Sequence, residues 1–280
     1  MADDTDYVLG TDDEELARLG LQHRVWRSVV LQCWKKAGIS NGKRVLDVGA
    51  GPGYAAMDLA EIVGPDGEVL ALERSAKFAA AAKAACRDYS LHNVRVHQLD
   101  LMEEEIPGSN FDFSWCRWVL CFVSEPELLV RKIAASLRHG GVAIFHEYAE
   151  YKTWGFLPPR PFHAKFVEAV MQGWRATGGE PDIGKELPAL LRSNGFSVRS
   201  VTPHVFAIAP TDEMWQWPAT FIQSGSVRME ELGQIDDAFA RQLREEFAAA
   251  EKEPGAMMLT PLVVEVIASL DSQHNRGEVT

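Results

Sequence analysis

Near the start of the chain, mainly apolar side chains recur at the spacing of a helix. Thr11 and Glu14 have the spacing of a capping box, and the acidic residues beside them suit the positive end of a helix. The predicted buried stripe consists of Leu16, Leu19, His23, Trp26, Val30, Cys33 and Ala37. The pattern predicts one amphipathic helix that ends near Gly38. For His23, a hydrogen-bonded core position and, with Tyr7, a role in closing over a ligand are both open interpretations.

From residue 43 onward, short apolar runs alternate with helical segments. In KRVLDVGAGPG the apolar run is stopped by alternating glycines, and the segment 54–63 then has a helical pattern. GEVLALE predicts a second strand, and Ser75 predicts the cap of an alanine-rich helix over 76–89. NVRVHQLD predicts a third strand that ends in an acid.

Two further strands complete this alternation. FDFSWCRWVLCFV begins as a strand, Ser124 and Glu127 predict the start of a helix that Gly140 and Gly141 end, and GVAIFHEY predicts the fifth strand. Regular alternation over about 43–150 predicts an α/β fold, a Rossmann-like and mostly parallel sheet with helices on both faces. Ligands of such sheets bind at the carboxyl ends of the strands.

After Tyr151 the alternation stops and aromatic residues become frequent. Phe162, Phe166, Val170 and Trp174 have helical spacing, which favours a lid helix over the ligand edge. The segments 196–209 and 256–269 predict a late strand pair, although Pro261 would remove a hydrogen-bond donor from the second strand. The predicted organisation is one compact domain. Its parts are an N-terminal helical cap (1–40), an α/β core (41–150), a lid helix and connection (151–195), and the strand pair with a helical insertion over 206–255 (196–280).

Composition narrows the possible partners. The chain has 40 acidic and 28 basic residues, a net charge of −12 and a pI near 5.2, which argues against nucleic acid and an anionic membrane surface. The four cysteines form no CxxC pair, so neither a disulfide framework nor a metal site is predicted. Since no apolar run approaches the roughly 18 residues of a membrane span, these features indicate a cytoplasmic protein without a membrane partner.

Three chemical features fall at the ends of successive predicted strands. Gly49, Gly51 and Gly53 form a turn in which backbone can lie close to a ligand. Glu73 could accept hydrogen bonds from two ribose hydroxyls, and Asp100 could accept one from an adenine-type amino group. The glycine spacing departs from G-x-G-x-x-G, and no GK[ST] is present, so phosphate binding is not predicted. Together the three features predict a purine nucleoside site.

The motifs VLDVGAGPG, VLALERS, HQLD, FDFSWCRWVLCFV and SLRHGG resemble, in this order, those of class I S-adenosylmethionine-dependent methyltransferases. The match covers about 43–150 and is most similar to the branch of the ubiquinone and menaquinone C-methyltransferases and many small-molecule methyltransferases. The resemblance implies seven strands with the last one antiparallel, and S-adenosyl-L-methionine as the cofactor. It implies that the cofactor's methionyl part passes Gly49, Gly51 and Gly53, its ribose lies at Glu73 and Arg74, its adenine lies at Asp100 and Leu101, and its sulfonium side lies at Arg117 and Trp118.

Methyl transfer from a sulfonium requires in-line alignment and exclusion of water. The segments after residue 150 could form the lid, and Trp215, Trp217 and Phe221 could wall a small aromatic or apolar acceptor. An acceptor that must lose a proton also needs a base, for which His146, at the end of the predicted fifth strand, is the best-placed candidate. Two alternatives stay open: an NAD(P)-dependent oxidoreductase on a Rossmann-like fold, and a catalytically silent nucleoside-binding regulatory protein.

Overall fold

The computed structural model describes residues 10–271. The strands are β1 (Arg44–Val48), β2 (Glu68–Glu73), β3 (Val94–Gln98), β4 (Phe111–Arg117), β5 (Leu137–Glu150), β6 (Gly155–Leu157), β7 (Phe196–His204), β8 (Ala207–Ile208), β9 (Met257–Leu259) and β10 (Leu262–Leu270). The helices are α1 (Asp13–Ala37), α2 (Tyr54–Val63), α3 (Ala76–Asp88), α4 (Pro126–Ser136), α5 (Pro161–Ala176), α6 (Leu187–Ser193), α7 (Gln216–Glu231) and α8 (Asp237–Lys252).

A seven-stranded sheet with the order β3-β2-β1-β4-β5-β10-β7 forms the centre of the fold. The first five strands pair in parallel, and β10 runs antiparallel to both β5 and β7. The central strands are apolar on both faces because helices cover both sides, as the complete burial of Val45 and Leu46 in β1 shows. The predicted mostly parallel sheet with one antiparallel strand is confirmed.

The proline in the predicted last strand marks a break between two strands. Met257–Leu259 (β9) pairs with β6 and β8 in a separate three-stranded sheet, and Leu262–Leu270 (β10) belongs to the main sheet. Pro261 lies between them, so no ladder hydrogen bond is lost. The prediction of one continuous strand over 256–269 was therefore wrong, and the pair partner predicted over 196–209 divides in the same way into β7 and β8.

Several helix ends differ from their predicted positions. The cap of α1 is Asp12, not Thr11, because the Asp12 carboxylate accepts a hydrogen bond from the Glu15 N–H at 2.8 Å. Helix α4 starts at Pro126 rather than at Ser124, since proline suits a first helical turn. Ser75 caps α3 as predicted, accepting from the Phe78 N–H.

Helices from the two ends of the chain meet over the carboxyl edge of the sheet. Helix α1 packs against α7, and α5 packs against α8. No helix among residues 10–271 has both the length and the apolar character that crossing a bilayer would need.

Candidate active site

A cavity of about 480 Å³ opens at the carboxyl ends of β1, β2, β3 and β4. One side of it, which we call the strand-end half, is lined by Asp47, Gly49, Gly51, Glu73, Arg74, Asp100, Leu101 and Arg117. The sheet thus brings together residues that the sequence placed at separate strand ends. A second set of lining residues, which we call the aromatic half, comes from β5, the turns after β4 and β5, and helices α5 and α7: Trp118, Phe122, Tyr148, Tyr151, Trp154, Trp174, Trp217 and Phe221.

Glu73 ties the glycine turn to the end of β2. Its two carboxylate oxygens accept hydrogen bonds from the Gly51 N–H at 2.8 Å and from the Ser75 N–H at 2.7 Å. Burial raises the pKa of this carboxyl group, and the two backbone donors oppose that rise. Glu73 therefore shapes the turn in addition to facing the cavity.

Asp100 and Arg74 lie side by side at the cavity wall. The Asp100 Oδ2 atom is 4.0 Å from the Arg74 Nη1 atom, and Asp100 Oδ1 accepts from the Met102 N–H at 2.8 Å. The carboxylate is about one-third exposed, which leaves it accessible to a ligand. Leu101 and Met102 add apolar surface beside it.

The glycines of the turn serve different purposes. Gly51 has a φ of +56°, and a Cβ atom there would meet nothing within 4 Å, so the missing side chain leaves open space in the cavity. Gly53 is not among the residues that line the cavity. A Cβ atom at Gly53 would lie 2.9 Å from the Ala82 Cβ, so glycine there permits α2 and α3 to pack closely.

Asp47 and the half-buried Arg117 interact electrostatically in the strand-end half. Asp47 is almost fully buried, its Oδ2 atom has no hydrogen-bond partner among the described residues, and burial raises its pKa to about 7. Burial lowers the pKa of Arg117 to about 10, although the Asp47 charge opposes that change. A buried carboxylate oxygen without a partner is the kind of group that a bound ligand satisfies.

Trp118 forms the boundary between the two halves. It follows β4 directly with a φ of +51°, and its ring stacks between those of Tyr148 at 5.4 Å and Trp217 at 5.5 Å. Glu147, which the sequence analysis missed, holds this turn by accepting from the N–H groups of Val119 at 2.9 Å and Leu120 at 2.8 Å. The signal was an acid that directly follows the apolar run VAIF and His146, and burial raises the pKa of Glu147 to about 7.

The predicted aromatic wall is only partly right. Trp217 and Phe221 line the cavity, as expected. Trp215 instead packs in the core against Phe156 and Phe247, with its Nε1–H donating to Glu251 at 3.0 Å. Tyr148, Tyr151 and Trp154 take part in the wall because β5 continues to Glu150 and carries the following turn over the cavity.

His146, the candidate general base, is not among the residues that line the cavity. Because β5 runs on to Glu150, His146 is an internal strand residue and not the last one. Its fully buried ring packs against Trp115, and burial lowers its pKa to about 4. Its Nε2 atom is 3.6 Å from Glu265, whose carboxylate accepts from Lys36 at 2.9 Å.

The same core region holds a grouping that sequence spacing did not reveal. Potential metal-ligand atoms of Cys33, His146 and Glu265 lie within 4.8 Å of one another. None of the three lines the cavity. His23 is a hydrogen-bonded core residue whose Nε2 atom is 3.0 Å from the Asp58 carboxylate, and Tyr7 lies outside the described residues.

Comparisons with known proteins agree with this geometry. A methyltransferase domain family matches residues 45–141. The demethylmenaquinone methyltransferase of Geobacillus stearothermophilus is 24% identical over 199 residues, which cover 67% of this chain and 84% of that protein. The YcgJ protein of Bacillus subtilis shares the fold, with a TM-score of 0.58 at 17% identity over 88% of this chain and 98% of that one.

A second solved structure shows the same fold with a ligand. It is the phosphoethanolamine N-methyltransferase 2 of Haemonchus contortus, in complex with phosphomonomethylethanolamine and S-adenosylhomocysteine. Its TM-score is 0.54 at 16% identity, over 87% of this chain and 52% of that one.

Proposed function

We propose that this chain, which is a class I S-adenosylmethionine-dependent methyltransferase, transfers a methyl group to a small aromatic or apolar metabolite held in the aromatic half of the cavity. The observation that carries the proposal is that one cavity combines strand-end residues rich in hydrogen-bond acceptors with a set of aromatic rings. The comparisons support neither the oxidoreductase nor the silent-protein alternative.

The strand-end half fits S-adenosylmethionine. The open space at Gly51 admits a ligand against backbone, and the carboxylates of Glu73 and Asp100 can accept from ribose hydroxyls and from an adenine amino group. The unpartnered Asp47 oxygen and the Arg117–Trp118 corner lie at the base, towards the aromatic half. In this assignment Gly49, Gly51, Glu73, Arg74, Asp100, Leu101, Arg117 and Trp118 hold the cofactor.

The protein's own contribution to the reaction is alignment and exclusion of water. The bound cofactor supplies an already activated methyl group with a neutral leaving group, so the chain must hold the acceptor in line with it. Helices α1, α5 and α7 supply cavity-lining side chains from outside the 41–150 core and act as the cap and lid over it. They keep competing water from the reacting atoms.

The charged groups around the cavity are unevenly distributed. The carboxylates that line it, Asp47, Glu73 and Asp100, all belong to the strand-end half. Arg18 and Arg228 also line the cavity, but each is paired with a glutamate outside it, Glu15 and Glu231. The rings of the aromatic half therefore suit a flat acceptor, and the net charge of −12 speaks against nucleic acid.

Two measurements test the proposal. S-adenosylhomocysteine should raise the Tm, because a ligand of the native state stabilises it, while NADH and NADPH should not. Incubation with methyl-labelled S-adenosylmethionine and a whole-cell extract should yield a labelled small product. A Tm that does not respond to millimolar S-adenosylhomocysteine would contradict the cofactor assignment, and label found only in macromolecules would contradict the acceptor class.

A further inference from the structure

Helix α1 presents an unexpected polar row to the cavity. Glu15, Arg18 and Gln22 follow one another at helical spacing and are all buried, at 2%, 6% and 8% exposure. Arg18 and Gln22 line the cavity. Buried polar groups normally have partners, so the partners of this row show what it is arranged to do.

The row fixes the orientation of the Gln22 carboxamide. The Arg18 Nε and Nη2 atoms both donate to the Glu15 carboxylate at 2.6 Å, and Arg18 Nη1 donates to the Gln22 Oε1 at 3.1 Å. The indole Nε1–H of Trp217 donates to the same Oε1 at 2.9 Å. Arginine and tryptophan side chains can only donate hydrogen bonds, so this oxygen must face them.

The Gln22 amino group is left to face the cavity. Its Nε2 atom makes no hydrogen bond to any of residues 10–271, and it is not among the fully buried polar atoms without a partner. Since the oxygen is held by two donors, the two N–H bonds point away from them, to the space that Gln22 lines. A fixed donor of this kind prefers an oxygen atom as its partner.

The position of Gln22 indicates that the ligand oxygen that accepts from its amino group belongs to the methyl acceptor and not to the cofactor. Trp217, which holds the carboxamide, belongs to the aromatic half. The Arg18 guanidinium carbon lies 5.7 Å from the centre of the Phe221 ring, in the same half. Gln22 therefore stands among the rings that are proposed to hold the acceptor.

We propose that Gln22 is a specificity-determining residue whose carboxamide donates a hydrogen bond to an oxygen atom of the methyl acceptor. The inference rests on the proposed function, because it uses the assignment of the two halves. Gln22 then selects aromatic acceptors that carry a carbonyl, ether or ionised hydroxyl oxygen over hydrocarbons of the same shape. An unmatched polar group in an otherwise apolar pocket gives this kind of discrimination.

A ligand pair that differs in one atom tests the assignment. Binding of 2-acetylnaphthalene and 2-isopropenylnaphthalene, which exchange an oxygen for a CH₂ group, is measured by tryptophan fluorescence with S-adenosylhomocysteine at saturation. The wild type should prefer the ketone about tenfold, the range expected for one good neutral hydrogen bond. Gln22→Glu keeps the acceptor that Arg18 and Trp217 require but offers no donor, so the preference should disappear.

The control is Gln223→Glu, which adds the same charge at an exposed position of α7 outside the cavity and should retain the preference. Affinity for S-adenosylhomocysteine, measured by calorimetry, should stay within about threefold in both variants, which also shows that they fold. A wild type without preference for the ketone, or a preference that survives Gln22→Glu, overturns the inference. A large loss of S-adenosylhomocysteine affinity in Gln22→Glu overturns it too, because Gln22 would then serve the cofactor. Failure of the wild type to bind S-adenosylhomocysteine is a different result, which contradicts the proposed function itself.

Discussion

The strand-end half of the cavity comes from one continuous stretch of chain, whereas the aromatic half is assembled from distant segments. Residues between 47 and 117 supply the first, each at the end of a parallel strand. The second combines the turns after β4 and β5 with helices α5 and α7. Sheet geometry fixes the first half, while helix packing sets the second. The acceptor site can therefore vary through the packed helices while the sheet keeps its own half unchanged.

The sharpest way to break the strand-end half is Gly51→Val. The added side chain would enter open cavity space at a φ of +56°, so affinity for S-adenosylhomocysteine should fall at least about 100-fold by calorimetry. Gly42→Val is the matched control, because Gly42 also has a positive φ and open space around its Cβ but does not line the cavity. Both should lose roughly 1–2 kcal/mol of stability. Equal affinity loss in the two variants would mean that strain alone is responsible.

The variant Asp47→Asn tests how the buried carboxyl group of the strand-end half changes the stability of the fold. Because burial raises its pKa from 3.8 to about 7, the native state binds this proton more tightly than the unfolded chain does. The wild type should therefore lose stability relative to Asp47→Asn as pH rises from about 4 to about 7, by about 1.4 kcal/mol for each unit of pKa difference. Urea unfolding of both proteins across this range measures the difference. A difference that stays constant or changes in the opposite direction would contradict the burial of an uncompensated carboxyl group.

Glu73→Ala tests ligand binding and the shaping of the turn together. It removes the acceptor of the Gly51 and Ser75 N–H groups, so S-adenosylhomocysteine affinity should fall by about 1–3 kcal/mol. Some stability should be lost as well, since both donors lose their partner. Glu68→Ala, at the opposite end of β2, removes only ion pairs with Arg44 and Arg95 and should change stability by no more than about 1 kcal/mol. Unchanged affinity in Glu73→Ala would remove this residue from the site.

Trp174→Phe probes the aromatic half with the smallest expected effect. Trp174 lines the cavity and contacts Phe122 and Tyr151 edge-on, so a smaller ring should lower methyl transfer by about 3- to 10-fold while cofactor affinity stays unchanged. The matched control is Trp215→Phe, which alters a core tryptophan outside the cavity. Rates of labelled product formation compare the two. If Trp215→Phe slows transfer as much as Trp174→Phe does, contact with the acceptor is not what Trp174 contributes.

Sequence reasoning succeeded where a local pattern fixes a backbone position. An apolar run that stops at glycines or at an acid predicts a strand end, and parallel strands bring their carboxyl ends to one edge. That is why Gly51, Glu73 and Asp100 line one cavity as expected. The same reasoning failed for His146, because the strand does not stop there. Four further residues carry β5 to Glu150, which places the imidazole in the core and delivers Tyr148 to the cavity instead.

The alternation of strands and helices over about 43–150, the glycine turn and the acids at the strand ends were determined by the sequence alone, since each depends on residues close together in the chain. Only the tertiary structure decided which aromatic rings face the ligand, that Gly53 serves helix packing, and that Arg18 and Trp217 orient the carboxamide of Gln22. The physical reason is the separation of the interacting residues along the chain. Backbone conformation follows the local sequence pattern, whereas the direction of a side chain can depend on a distant partner. Gln22 and Trp217 are 195 positions apart.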